Sequence, residues 1–219
     1  MHKATVHRFL ATMENLGIVE KVGQRYRLGL RLFELGNRVP IRAGLVDQAH
    51  PFLEELAGEI QETVNLAGLF RGEVMYLDKV QCRRSLQINT YIGCRILPHC
   101  TALGKAILAY LPGDVRRRIL AEKGLQKRTP YTITDLGLLE SQLAEIRRRG
   151  YSVDDQEFEE GLRCVAVPLF SPDHQIAAAI SASGPTVRIN ERTIPRLAEK
   201  LKEAASRIQM RMQDFRAPL

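Results

Sequence analysis

Two β-prone segments late in the chain carry side chains suited to holding a small polar molecule. Between Ile176 and Ser183 one alternate face reads Ile176, Ala178, Ile180, Ala182, and the other Ala177, Ala179, Ser181, Ser183. In the segment before it, Cys164 and Ala166 alternate with Val165, Val167 and Leu169. Successive strand residues point to opposite faces, so the Ala, Ser and Cys sets form low-relief surfaces. Hydroxyls and a thiol beneath empty space suit a small polar ligand, while a closely packed helix is the other occupant such a face accepts. A second element is Pro98–Ala106. Thr101 has the side chain of a helix N-cap, which leaves the backbone N–H groups of Ala102 and Leu103 free to meet a carboxylate-sized anion. Gly104 lets that helix sit close to a sheet. The third element, Asp154-Asp155-Gln156-Glu157, reads as an acidic loop, whose Asp either accepts a hydrogen bond from a ligand hydroxyl or is only a solvated loop charge.

Other chemistries fit less well. Cys82, Cys94, Cys100 and Cys164 form no CxxC pair and are read as reduced thiols. Cys94, His99 and Cys100 match no common zinc spacing, so neither a metal nor a cofactor is expected. Cys100 or Cys164 as a nucleophile with His99 as base lacks a third group to orient the imidazole, so the chain is not read as an enzyme.

The charge is uneven. Residues 1–44 carry eight Lys and Arg against three acids, whereas the remaining 175 carry 24 bases and 22 acids. A basic excess confined to one end is the footprint of a segment that lies against phosphate. That segment opens with an amphipathic helix. Val6, Phe9, Leu10, Met13 and Leu16 share one face, Lys3, Ala4, His7, Arg8 and Ala11 the opposite one, and Gly17 stands at the C-terminal end. Two short β-prone runs around Gly23 follow and read as a basic hairpin. A basic helix followed at once by such a hairpin is the order of a winged helix-turn-helix. Lys3, Thr5, His7 and Arg8 are then candidate contacts in the major groove, and Arg25 and Arg27 on the wing candidate contacts to the DNA backbone. A complete motif has two further helices ahead of the recognition helix. The expectation is therefore a partial reader at 1–29, arising from a mis-assigned start or a truncation, or a segment that no longer reads DNA.

The rest of the chain supplies the elements that must position these groups. A linker helix, 30–45, is expected to break near Pro40, and a second helix to run over roughly Val46–Glu62. Strands are expected at Thr63–Phe70, Glu73–Val80 and Leu86–Tyr91, with Arg71-Gly72 as a tight turn. Helices are expected at Ala102–Tyr110, Gly113–Glu122 and Leu136–Arg149, then strands at Arg163–Phe170 and Gln175–Ser183. A long helix over about Glu191–Met212 closes the chain. Hairpin-linked strands with helices at both ends imply an α+β domain at 46–219, an antiparallel sheet flanked by helices. No apolar run reaches the ~18–20 residues of a membrane span, and no apolar leader opens the chain, so a cytoplasmic location is expected.

The stretches HCTALGKAILA, GYSVDDQEFEEGLRCVAVPLF and AAAISASGP resemble three signature segments of the IclR family of bacterial transcriptional regulators. ATVHRFLATMENLGIVEK resembles the family's recognition helix and wing entry. The four segments occur in family order along essentially the whole chain. The resemblance implies a GAF/profilin-like effector-binding domain that takes a small organic acid, and a winged helix that binds double-stranded operator DNA as a homodimer or dimer of dimers. It further implies effector contacts from the Ala102 and Leu103 backbone and from Asp154, Cys164, Ser181 and Ser183, with Ile88 and Leu162 as apolar walls. The helix entry Thr-Ala-Leu-Gly is bulkier than the Ser-Gly-Ala-Gly of glyoxylate- and pyruvate-responsive members, so ligand identity does not carry over; sugar acids stay open. The expected function is ligand-responsive control, by repression or activation, of a catabolic operon. The alternative is a sensor and oligomerisation module that no longer binds DNA.

Overall fold

A computed structural model describes residues 2–39, 42–82 and 90–212. They divide into two compact units, Met1–Ala43 and Gly44–Leu219.

In the first unit, α1 (Lys3–Asn15) leads into a hairpin of β1 (Val19–Val22) and β2 (Arg25–Leu28), followed by α2 (Leu30–Asn37). Gly17 (φ +68°) ends α1 in the left-handed conformation that L side chains resist. The hairpin turn is Gly23-Gln24, with Gly23 at φ +61° as the first central residue; that geometry matches the twist of the flanking strands. No residue of α1 is buried: Val6, Phe9, Met13 and Leu16 are exposed, as are Lys3, His7 and Arg8 on the other side. Thr5 is partly exposed. Arg25 is exposed at the wing, while Arg27 pairs across the hairpin with Glu20 (Nε to Oε2, 2.8 Å).

A single π-helical turn (Arg42–Val46) carries the chain into the second unit and runs into α3 (Asp47–Ile60). β3 (Thr63–Phe70) and β4 (Glu73–Val80) form a hairpin around Arg71 (φ +52°) and Gly72 (φ +76°). After β5 (Arg95–Ile96) come three helices, α4 (Ala102–Tyr110), α5 (Gly113–Lys123) and α6 (Leu136–Arg149). β6 (Ser152–Asp155), β7 (Leu162–Phe170), β8 (Ile176–Pro185) and α7 (Ile194–Arg211) complete it. The strands form one antiparallel sheet in the order β5-β4-β3-β8-β7-β6. α3 and α7 pack together on one face, over Leu66, Val165, Val167 and Ile180. α4 covers part of the other: its Ala102, Leu103, Ala106 and Ile107 cluster with Ala67, Ala166 and Ala179. α6 buries Leu139, Leu143 and Ile146 against Leu108 and Ala109 of α4.

Two expectations need correction. Of the strand expected at Leu86–Tyr91, residues 86–89 lie outside the described residues and 90–91 are not strand. Instead a turn at Tyr91–Cys94, with Gly93 at φ +89°, aligns β5 against β4; Gly93 N–H donates to Tyr76 O at 2.7 Å. The acidic stretch expected as a loop begins as strand. Asp154 and Asp155 end β6, where Asp154 pairs with Cys164, because β7 offers an open edge whose ladder outweighs the poor strand preference of Asp.

Candidate functional site

The ladder registers bring the polar positions together. Ser181 of β8 lies opposite Asn65 of β3 and Ala166 of β7; Ser183 lies opposite Thr63 and Cys164; Cys164 lies opposite Asp154. Asn65, Ser181, Ser183, Cys164 and Asp154 consequently share the α4-side face of four adjacent strands. The N-terminus of α4 stops above that face. Beneath it is a small recess lined by Ala102, Leu103, Asp154, Leu162, Cys164, Ser181 and Ser183. Seven of the eight sequence-derived effector positions thus line one space. The eighth, Ile88, lies outside the described residues.

The small side chains serve two purposes. Ala67, Ala166 and Ala179 admit α4 close to the sheet, and Ser181, Ser183 and Cys164 leave the recess open beyond its end. Thr101 caps the helix: its Oγ1 accepts from Gly104 N–H at 3.2 Å and donates to Leu97 O at 3.3 Å. The N–H groups of Ala102 and Leu103 have no acceptor among the described residues, as expected for the first turn of a helix. These donors and the positive end of α4 line the recess together with the Ser181 and Ser183 hydroxyls.

Asp154 lines the recess from β6, on the same sheet face as the serines, and is 1% exposed. Its Oδ1 accepts from Glu157 N–H (2.8 Å) and Phe158 N–H (3.3 Å), folding the following loop back over it. Burial pushes its carboxyl up to about 7; the nearby Lys105 charge opposes this and Glu157 adds to it. Near neutral pH the group can therefore stand protonated or ionised. Behind it Lys105, wholly buried on α4, donates to Glu157 Oε1, while Glu157 Oε2 has no partner. Burial raises the Glu157 carboxyl against the pull of Lys105.

The nucleophile arrangement finds no support. Burial pushes the Cys100 thiol up to about 12 and the Cys164 thiol higher still, so both remain neutral. The His99 ring sits against Gln126 O at 3.1 Å, its Nδ1 has no partner, and burial lowers its basicity. Among the described residues no cluster of three or more His, Cys, Asp or Glu is arranged to hold a metal, and no helix is long and apolar enough to cross a membrane.

Sequence reasoning missed four lining residues: Asn65, Tyr76, Thr90 and Phe158. Asn65 is the one polar residue within Val64–Phe70, and that interruption of an apolar run was its only signal. Tyr76 and Phe158 look like ordinary core residues in sequence. Phe158 in fact separates the recess from Arg128, whose guanidinium stacks on it 4.7 Å from the ring centroid.

Comparison with known proteins agrees with this architecture. Residues 38–210 match the family model described as "Bacterial transcriptional regulator IclR C-terminal". The chain is 36% identical over 214 residues to the HTH-type transcriptional regulator KdgR of Escherichia coli, covering 97% of this chain and 81% of KdgR. It is 35% identical over 209 residues to the E. coli transcriptional repressor IclR, covering 94% of this chain and 76% of that protein. Among solved structures, Thermotoga maritima IclR superposes with a TM-score of 0.81 at 33% identity, covering 97% of this chain and 86% of that one. An IclR homologue from Microbacterium hydrocarbonoxydans, crystallised with 4-hydroxybenzoate, gives 0.89 at 29% identity, covering 98% and 88%. The second unit has the GAF/profilin-like fold of the effector-binding domains in these structures. On fold and sequence, the chain belongs to the IclR family of bacterial transcriptional regulators.

Proposed function

We propose that the chain regulates a catabolic operon by binding a small organic acid in the recess beneath α4 and altering its grip on operator DNA. The observation that carries the reading is that Ser181, Ser183 and the free Ala102 and Leu103 N–H groups line one recess together with a buried carboxyl. The donors take the effector carboxylate. Asp154 takes a ligand hydroxyl, and Leu103, Leu162 and Cys164, together with Ile88 as the family resemblance implies, line its apolar part. That a relative was crystallised with 4-hydroxybenzoate, a hydroxy acid, supports this chemistry. Residues 46–219 form the effector domain, 30–45 the link and 1–29 the reader, acting in the cytoplasm as a homodimer or dimer of dimers. Lys3, Thr5, His7 and Arg8 meet the major groove, and Arg25 and Arg27 the phosphates.

For the effector site, a panel of lactate, pyruvate, glyoxylate, gluconate and 4-hydroxybenzoate is screened by thermal shift. At a hundred times Kd, a bound acid stabilises by ~2.7 kcal/mol, which for a domain of this size raises Tm by roughly 5–10 °C. The shift is expected to disappear in the Ser181→Ala/Ser183→Ala double variant. An equal shift in wild type and variant sinks the site.

For the reader, binding to a duplex from the region upstream of its gene is followed by anisotropy against salt. Arg8→Ala is expected to weaken binding, and Arg25→Ala to flatten the log–log salt slope by about 1. Absence of any affinity supports the alternative, a sensor module without DNA binding.

A further inference from the structure

Asn65 is 2% exposed at the floor of the recess. Its Nδ2 lies 3.3 Å from Ser181 Oγ and 3.2 Å from Ser183 Oγ. An amide nitrogen only donates, so both serine oxygens act as acceptors in these bonds. Each hydroxyl keeps one proton to give. Among the described residues nothing accepts the proton of Ser181, and only the weakly accepting Cys164 sulfur stands near Ser183. Asn65 Oδ1, meanwhile, has no partner. Turned the other way, the amide would consume both hydroxyl protons and bury an unpaired NH2, two unmet donors in place of one unmet acceptor.

The geometry assigns Asn65 the role of setting the polarity of the recess. By donating to both serines it turns both hydroxyl protons toward the ligand, so the site takes a carboxylate and rejects the primary amide of the same shape. This rests on the recess being the effector site. An amide ligand has an NH2 where the acid has a second acceptor, so against the two hydroxyls and the Ala102 and Leu103 N–H groups it leaves a donor facing donors, which is poorly tolerated when buried. Asn65 is thus a positioning residue that acts through Ser181 and Ser183.

The test compares acids with their amides, 4-hydroxybenzoate with 4-hydroxybenzamide and lactate with lactamide, by calorimetry on the full chain. Wild type is expected to bind its preferred acid at least tenfold tighter than the matching amide. Asn65→Asp places an acceptor beneath both serines, takes up their protons and adds like charge. Acid affinity is expected to fall about a hundredfold with amide affinity held or improved, inverting the preference. Lowering the pH toward 5 protonates the introduced carboxyl, which then donates to one serine, so acid affinity recovers relative to wild type. The other titratable groups facing the recess (Asp154 on β6, Cys164 on β7 and Tyr76 on β4, with Lys105 and Glu157 behind) are common to both proteins, and the coupling of Asp154 to the introduced carboxyl raises the pH at which the affinity recovers. Asn65→Leu removes the donor without adding charge, and is expected to lower acid affinity about tenfold and leave the amide alone.

Equal binding of acid and amide by wild type overturns the assignment without any variant. So do parallel losses of both ligands in Asn65→Asp, or an acid affinity that pH does not restore. If no acid in the panel binds wild type, the effector reading fails first and takes this inference with it.

Discussion

Replacing Lys105 by methionine is expected to destabilise the Gly44–Leu219 unit by about 3–5 kcal/mol, the usual cost of removing one partner from a buried ion pair. Lys105 is the largest fully buried side chain of the molecule's described part, and Glu157, which accepts its hydrogen bond, is 4% exposed. Methionine fills nearly the same volume, so little of the loss comes from packing. It comes from Glu157, left with no cation inside a low-dielectric interior that already raises its carboxyl. The remedy for a stranded carboxylate is a proton. With its folded pKa raised above the unfolded value, Glu157 is neutral in the fold below that value, and the penalty grows as pH rises through it. The deficit in Tm of Lys105→Met, roughly 6–20 °C near neutral pH, should therefore shrink on acidification. Thermal melts from pH 5 to 8 check this. In the double variant Lys105→Met/Glu157→Gln most of the stability should return, since an uncharged pair needs no counter-ion. A double variant as unstable as the single one would mean that the pair serves packing rather than charge. The pair also fixes the loop that carries Phe158, so effector affinity should fall with it.

The second large effect is expected at Gly104. A methyl group there would stand 2.2 Å from Pro98 O and 2.3 Å from Pro98 Cα, both backbone atoms with no rotamer to yield. Alanine is the better helix former by about 1 kcal/mol, yet overpacking against fixed backbone costs typically ~1–3 kcal/mol or more. The clash wins. It also lifts the first turn of α4, which carries the free Ala102 and Leu103 N–H groups, away from the recess. Gly104→Ala should accordingly lose at least tenfold in acid affinity, while retaining the cooperative melt of a folded domain at lower Tm. Gly58 in α3 provides the control, because a methyl group there meets nothing within 4 Å. Gly58→Ala should stabilise by ~0.5–1 kcal/mol and leave binding unchanged. Wild-type affinity in Gly104→Ala would mean that α4 does not need this close approach.

Much of the candidate site was visible in sequence because its signals are local. Alternation along Ile176–Ser183 sorts Ser181 and Ser183 onto one face whatever that face meets, and Thr101 followed by a helical run announces a cap at any position in a fold. The uneven charge of the first 44 residues needs only counting. Asp154 was placed correctly beside the recess, but as a loop residue. Its own preference is for turns, and the open edge of β7 that recruits it is encoded elsewhere in the chain.

Asn65, Tyr76 and the Lys105–Glu157 pair were not legible, for a physical reason. Asn65 meets Ser181 across 116 residues of chain and Lys105 meets Glu157 across 52, and neither separation has a period that a window can detect. Sequence alone determined which strand and helix faces offer hydroxyls, donors and small side chains, because those depend on backbone geometry over a few residues. Only tertiary structure decided that β3 lies beside β8, turning a lone amide into the partner of two serines, and that a lysine and a glutamate share the dry space behind Asp154. Burial and register are properties of the assembled sheet.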